Sequence, residues 1–188
     1  LLPAAQTRDK NAVTPAQMRT LIKELKESFD FVLVDCPAGI EQGFKNAVAG
    51  ADRAVIVTTP EVSAIRDADR IIGMVEAAEL PEPDLIINRY RPSMVERGDM
   101  MNKEDILEIL AVPLLGIVPD HQDIITSANR GIPVAFDDES IVGEAFRRVA
   151  RKIAGEENVP ALEYSEDIGW WSDLKRWVGL APAKEVLG

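Results

Sequence analysis

Short apolar runs alternate with amphipathic stretches along this chain. Phe31 to Val34, Ala54 to Val57, Leu85 to Ile87 and Leu114 to Val118 are continuous apolar runs of strand length. Continuity, rather than strict alternation, predicts parallel strands covered on both faces. The stretches between them carry helical signals. Thr14 offers an N-cap, Pro15 the first helical position and Gln17 a capping box, which places Met18, Ile22 and Leu25 on one helix face. A second helix begins near Glu41. After the break at Thr58-Thr59-Pro60, Val62, Ile65, Ala68, Ile72 and Val75 recur at helical spacing and predict a long helix. A polar loop from Arg89 to Met101 leads to a helix starting at Asn102. Two more helices are expected near Asp123–Asn129 and Ser140–Ala154, with Gly131 and Pro133 between them.

Strands alternating with helices imply an α/β fold, a doubly wound and mostly parallel sheet with helices on both faces. Ligands of such sheets bind outside the carboxyl ends of the strands. Asp35, Thr58-Thr59, Asn88 and Pro119-Asp120 all fall at those ends and form one candidate rim. No internal repeat or low-complexity segment interrupts the pattern.

Composition narrows the chemistry. The net charge of −11 disfavours a non-specific nucleic-acid binder, which needs a basic face to displace counterions. One cysteine, Cys36, excludes an internal disulfide and a thiolate zinc site or iron–sulfur cluster built within these residues. It also fits a reducing cytosol. No apolar run approaches 18 residues, so none is long enough to span a membrane as a helix. The single histidine, His121, reads as a helix-start residue rather than a catalyst.

The stretch "DFVLVDCPAGIEQG", Asp30 to Gly43, runs from an apolar strand into an acidic residue and a small-residue loop. Asp35 either caps a turn or holds a Mg²⁺-bound water at the strand end. Gly39 would let backbone approach a terminal phosphate and move when it leaves. Yet these 188 residues hold no G-x-x-x-x-G-K-[ST] loop and no Lys-Gly-Gly variant of it. Asn88 and Asp120 either cap turns or face a base, whose edge an Asn amide matches with its paired donor and acceptor. Arg66, Asp67, Asp69 and Arg70 on the long helix form either a solvated face of local ion pairs or a partner-docking face.

All three tryptophans, Trp170, Trp171 and Trp177, fall in "IGWWSDLKRWVGL". At helical spacing Trp170, Trp171, Leu174, Trp177 and Val178 share a stripe roughly 120° wide, with Ser172, Asp173, Lys175 and Arg176 outside it. Such a helix either docks on the core or lies in a membrane interface, and indole favours the interface. Lys175, Arg176 and Lys184 are balanced by Asp167, Asp173 and Glu185, so tryptophan insertion, not lipid charge, would carry the binding.

The stretches "LPAAQTRDK", "VDCPAGIE", "TTPEVSAIRDADRIIG", "RGDMMNKEDILEIL" and "LLGIVPDHQDIITSANRGIPV" together resemble the ParA/MinD family of P-loop ATPases with a deviant Walker A motif, from Leu1 to about Gly155. The resemblance implies residues 1–155 as the C-terminal two-thirds of the ATPase domain, 156–166 as an acidic linker and 167–188 as a membrane-targeting tail. It implies that the phosphate loop lies on a strand and helix preceding "LPAAQTRDK". Asp35 then matches the Walker B Asp, acting on Mg²⁺ through water, and Gly39 belongs to the second switch. Asn88, Arg89, Pro119 and Asp120 lie around the adenine of ATP. Arg66, Asp67 and Asp69 match the helix on which a MinC-like inhibitor and a MinE-like activator dock. The resemblance implies a protein that acts in placing the division septum, dimerises with ATP, and sits as a cytoplasmic protein on the inner face of the cell membrane; the acidic balance and the tryptophan tail argue against binding nucleic acid. The alternatives are a ParA-type segregation or flagellar-number ATPase, or a non-catalytic interaction fragment.

Overall fold

The computed structural model describes residue 2, residues 13–36 and residues 42–162. These residues fall into two compact units.

The first unit comprises residues up to Asn88 together with Met101–Val118. Helix α1 (Pro15–Lys26) starts as its sequence dictates. The Thr14 hydroxyl accepts from the Gln17 N–H while the Gln17 side chain accepts from the Thr14 N–H at 2.9 Å. Ile22 is the residue this helix buries, flanked by half-buried Met18 and Leu25. Helix α2 (Gln42–Val48) packs against α1 and buries Phe44. Strand β1 (Val55–Thr58) pairs in parallel with β2 (Asp84–Tyr90), Val55 opposite Asp84 and Thr58 opposite Ile87. Strand β3 (Leu114–Pro119) lies on the other side of β2, giving the order β1-β2-β3. The Leu85 N–H donates to the Pro113 carbonyl and the Asp120 N–H to the Tyr90 carbonyl. Both partners advance together along the chain, as in parallel strands. Helix α3 (Val62–Ala77) packs on β1 and on α5 (Lys103–Leu110). Ile65, Ala68, Ile72 and Val75 of α3 meet the core with Ile56, Leu85, Ile87, Ile106 and Leu115. Each buried aliphatic side chain contributes about 1.5–3 kcal/mol by leaving water, so this layer is the main stabiliser of the unit.

The second unit comprises Arg89–Met100 and the residues from Pro119 onward. It holds α4 (Pro92–Glu96), α6 (Gln122–Arg130), a 3₁₀ turn (Val134–Phe136) and α7 (Ile141–Ile153). His121 caps α6 by accepting the Asp123 N–H on Nδ1, the helix-start role its position predicts. Gly131, at φ 68°, ends that helix in the left-handed region that glycine enters without cost. Ser140 caps α7, accepting from the Gly143 N–H, and its hydroxyl donates to Asp123 Oδ2 at 2.9 Å.

Four expectations change. Phe31 to Val34 pairs with no strand among the described residues, and Phe31 and Leu33 stand exposed. An apolar run records that coverage is needed, but a strand forms only where a neighbour offers its backbone groups. Val62 is 57% exposed, because the inner face of α3 starts one turn later, at Ile65. Strand β2 runs past Asn88 to Tyr90. The loop that follows contains α4, a single turn nucleated by Pro92 and too short to show periodicity.

Candidate functional site

Asp35 follows the Phe31–Val34 run in the first unit, with its side chain exposed. Among the described residues no group of three His, Cys, Asp or Glu could form a metal cage. One exposed carboxylate instead suits Mg²⁺ that keeps its waters and takes its other ligands from a phosphate. Cys36 sits beside it. Desolvation of the thiol, and then the Asp35 charge, push its pKa above the usual 9.0. Gly39 falls in residues 37–41, outside the described residues. At the end of β1, Thr58 is buried, and the Glu61 N–H turns back to the Thr59 carbonyl at 2.8 Å. This tight reversal puts the start of α3 directly after the strand. Asn88, also of this unit, is half-buried in β2.

Arg66, Asp67, Asp69 and Arg70 all lie on the exposed side of α3, between the buried positions Ile65, Ala68 and Ile72. The local ion pairs that a solvated face would use do not form among the described residues.

In the second unit the ends of β2 and β3 are tied together. The Asp120 N–H donates to the Tyr90 carbonyl at 3.0 Å. Arg91 donates from Nε to Asp120 Oδ2 at 2.6 Å, and its terminal nitrogen Nη2 meets the same oxygen. Both donors converge on Oδ2. Pro119, fully buried, holds the backbone just before this carboxylate. Arg89 adopts φ 57°, in the left-handed region that costs a non-glycine residue about 1 kcal/mol. Backbone strain of this kind persists where surroundings over-determine it, often at binding sites. Thus Arg89, Pro119 and Asp120 are brought to one strand edge. Arg91, which holds Asp120, was not evident from the sequence. Its only signal is a second arginine two residues after Arg89.

The tail residues Trp170, Trp171, Leu174, Trp177 and Val178 lie outside the described residues, as does the 167–188 segment. The start of the acidic stretch is described, and it is anchored. Arg151 donates to Glu156 Oε2 at 2.6 Å, and Arg148 Nη1 to the Pro160 carbonyl at 2.7 Å. No described helix is long and apolar enough to cross a membrane.

Residues 10–154 match the family model described as ParA, NUBPL iron-transfer P-loop NTPase. The chain is 52% identical over 165 residues to the septum site-determining protein MinD of Synechocystis sp., covering 87% of this chain and 62% of that protein. It is 47% identical over 181 residues to the MinD of Bacillus subtilis, covering 96% of this chain and 68% of that one. It thus spans about two-thirds or less of each relative's length. Among solved structures it resembles the MinC:MinD cell division protein complex of Aquifex aeolicus, at TM-score 0.76 and 40% identity, over 81% of this chain and 64% of that one.

Proposed function

Because the chain belongs to the MinD family of ParA-type P-loop NTPases, we propose that it contributes to an ATP-hydrolysing, membrane-associated switch in placing the division septum. The observation that carries this reading is the strand-edge arrangement of Arg89, Pro119 and Asp120. Arg91 neutralises Asp120 through Oδ2, which leaves Oδ1 able to accept a hydrogen bond from an exocyclic amine such as that of adenine. Asn88, adjacent to Arg89 in β2, adds an amide with both a donor and an acceptor.

Asp35 holds a Mg²⁺-bound water, and the metal supplies charge stabilisation to the phosphates when bound. Gly39 lets its loop follow the terminal phosphate. The exposed charges of Arg66, Asp67 and Asp69 receive protein partners of opposite pattern, a MinC-like inhibitor and a MinE-like activator. Trp170, Trp171, Leu174, Trp177 and Val178 enter the interface on the inner face of the cell membrane. One short amphipathic helix binds lipid marginally, so pairing two chains around ATP raises avidity without a new lipid contact.

The test supplies a phosphate loop. Residues 1–188 are joined behind the N-terminal segment of the Bacillus subtilis relative, and Mg²⁺-dependent ATP hydrolysis is measured. Asp35→Ala should lower turnover by roughly a hundredfold, the scale for losing a preorganised charge contact in the transition state. Turnover unchanged at saturating Mg²⁺ removes Asp35 from the site.

A further inference from the structure

Arg91 occupies one oxygen of the Asp120 carboxylate. Its Nε donates to Oδ2 at 2.6 Å, and its Nη2 meets the same oxygen. A carboxylate oxygen offers two acceptor positions, so both positions on Oδ2 are taken. The usual guanidinium fork spreads its two donors over both oxygens. Here the contact is one-sided.

Both backbones hold that arrangement in place. The Asp120 N–H donates to the Tyr90 carbonyl at 3.0 Å, which fixes the carboxylate against the end of β2. The Arg91 N–H donates to Met100 Sδ at 3.4 Å. Only 22% of the Asp120 side chain is exposed, so a donor left unmet beside it would regain little from water.

The two purines differ where this matters. Adenine carries one amino group at C6, which a single oxygen satisfies. Guanine carries the acceptor O6 at that place, and its donors N1–H and N2–H lie side by side. A carboxylate with both oxygens open accepts that pair at once. We propose that Arg91 determines base specificity: by filling Oδ2 it makes Asp120 a single-oxygen acceptor, which takes the adenine amino group and rejects guanine. Guanine must either turn O6 to the anionic Oδ1 or leave one of its two donors unmet, and both arrangements discriminate against it. Arg91 acts through Asp120 and is a positioning residue. The proposal rests on the reading of Asp120 as a base-facing residue.

The test uses residues 1–188 joined behind the Bacillus subtilis N-terminal segment, with Mg²⁺ and either ATP or GTP. For the native residues, kcat/KM should favour ATP on the order of a hundredfold. Arg91→Met keeps an unbranched stem and removes both donors, and should cut that ratio by roughly tenfold. The change should fall on the KM for GTP rather than on its kcat, because a base contact is equal in ground and transition states. Arg91→Lys, with one ammonium on Oδ2, should fall between. Asp120→Asn tests the sign. Arg91 should draw the amide oxygen and leave the amide NH₂ to the base, where it donates to guanine O6 and opposes the adenine amino group. The preference should then shift to GTP. Adding Arg91→Met to Asp120→Asn should erase it, because nothing then orients the amide.

Each ratio is read within one preparation, so incomplete folding scales both rates alike. An ATP-to-GTP ratio untouched by Arg91→Met, or Asp120→Asn still preferring ATP, would overturn the proposal. In that case a KM for ATP raised by Asp120→Ala would keep the base-facing reading intact. Asp120→Ala with no effect on either KM would refute that reading and the proposal together.

Discussion

Arg91 places two nitrogen donors on one carboxylate oxygen of Asp120, with Nε 2.6 Å from Oδ2. The pair joins the residue after β2 to the residue after β3 and orients the carboxylate at the sheet's edge. It is part-exposed, so its coupling should be modest, about 0.5–1 kcal/mol. A double-mutant cycle of Arg91→Ala and Asp120→Ala in urea unfolding should return that value. Strictly additive losses would show that the two side chains merely lie side by side.

Two glycine-to-alanine substitutions should act with opposite signs. A Cβ at Gly143 would sit 2.5 Å from the Val134 carbonyl oxygen and 2.8 Å from that of Asp137. Backbone must then move, at a cost of about 1–3 kcal/mol. A Cβ at Gly73, inside α3, meets nothing within 4 Å, and alanine there should stabilise the helix by about 0.5–1 kcal/mol. Thermal midpoints that move in the same direction would contradict this packing of α7 against the 3₁₀ turn.

Cys36 should be a sluggish nucleophile. Desolvation and the Asp35 charge both disfavour the thiolate, so its population rises only at higher pH than for a free cysteine. Alkylation by iodoacetamide at pH 8 should therefore be slower than for a cysteine in a short peptide. Asp35→Asn removes the second cause but not the first, so it should speed the reaction partially. A rate above that of the peptide, or no change in the Asp35 variant, would place Asp35 away from the thiol.

Most of the architecture was legible because its signals are local. The Thr14–Gln17 capping box, the Asn102 and His121 caps and the Gly131 terminus each act through a few neighbouring atoms, and each appears where the sequence places it. The α3 core face was legible from Ile65 onward through simple periodicity. What the sequence did not disclose depends on distant partners. Phe31 to Val34 reads as a strand, yet strand formation depends on a neighbour rather than on the run itself. The left-handed φ of Arg89 has no compositional mark, since arginine rarely adopts it. Arg91 pairs with Asp120 across 29 positions, a distance no pattern of spacing reaches. Of the site, strand-end polar residues could be named from the pattern alone, which left a base-facing role for Asn88 and Asp120 and a docking role for the Arg66–Arg70 cluster as open alternatives; family resemblance added Arg89 and Pro119 and named the partners.

Nucleotide-dependent attachment to lipid tests the central claim most directly. The protein formed by joining residues 1–188 behind the Bacillus subtilis N-terminal segment is sedimented with phosphatidylglycerol-containing vesicles in the presence of Mg²⁺ and either ATP or ADP. Two tails held in an ATP-bound pair should sediment far more protein than one, by roughly a hundredfold in apparent affinity, and Trp171→Glu should abolish the ATP-dependent fraction. Equal sedimentation with ATP and ADP, or an ATP-dependent fraction untouched by Trp171→Glu, would contradict an ATP-driven membrane switch.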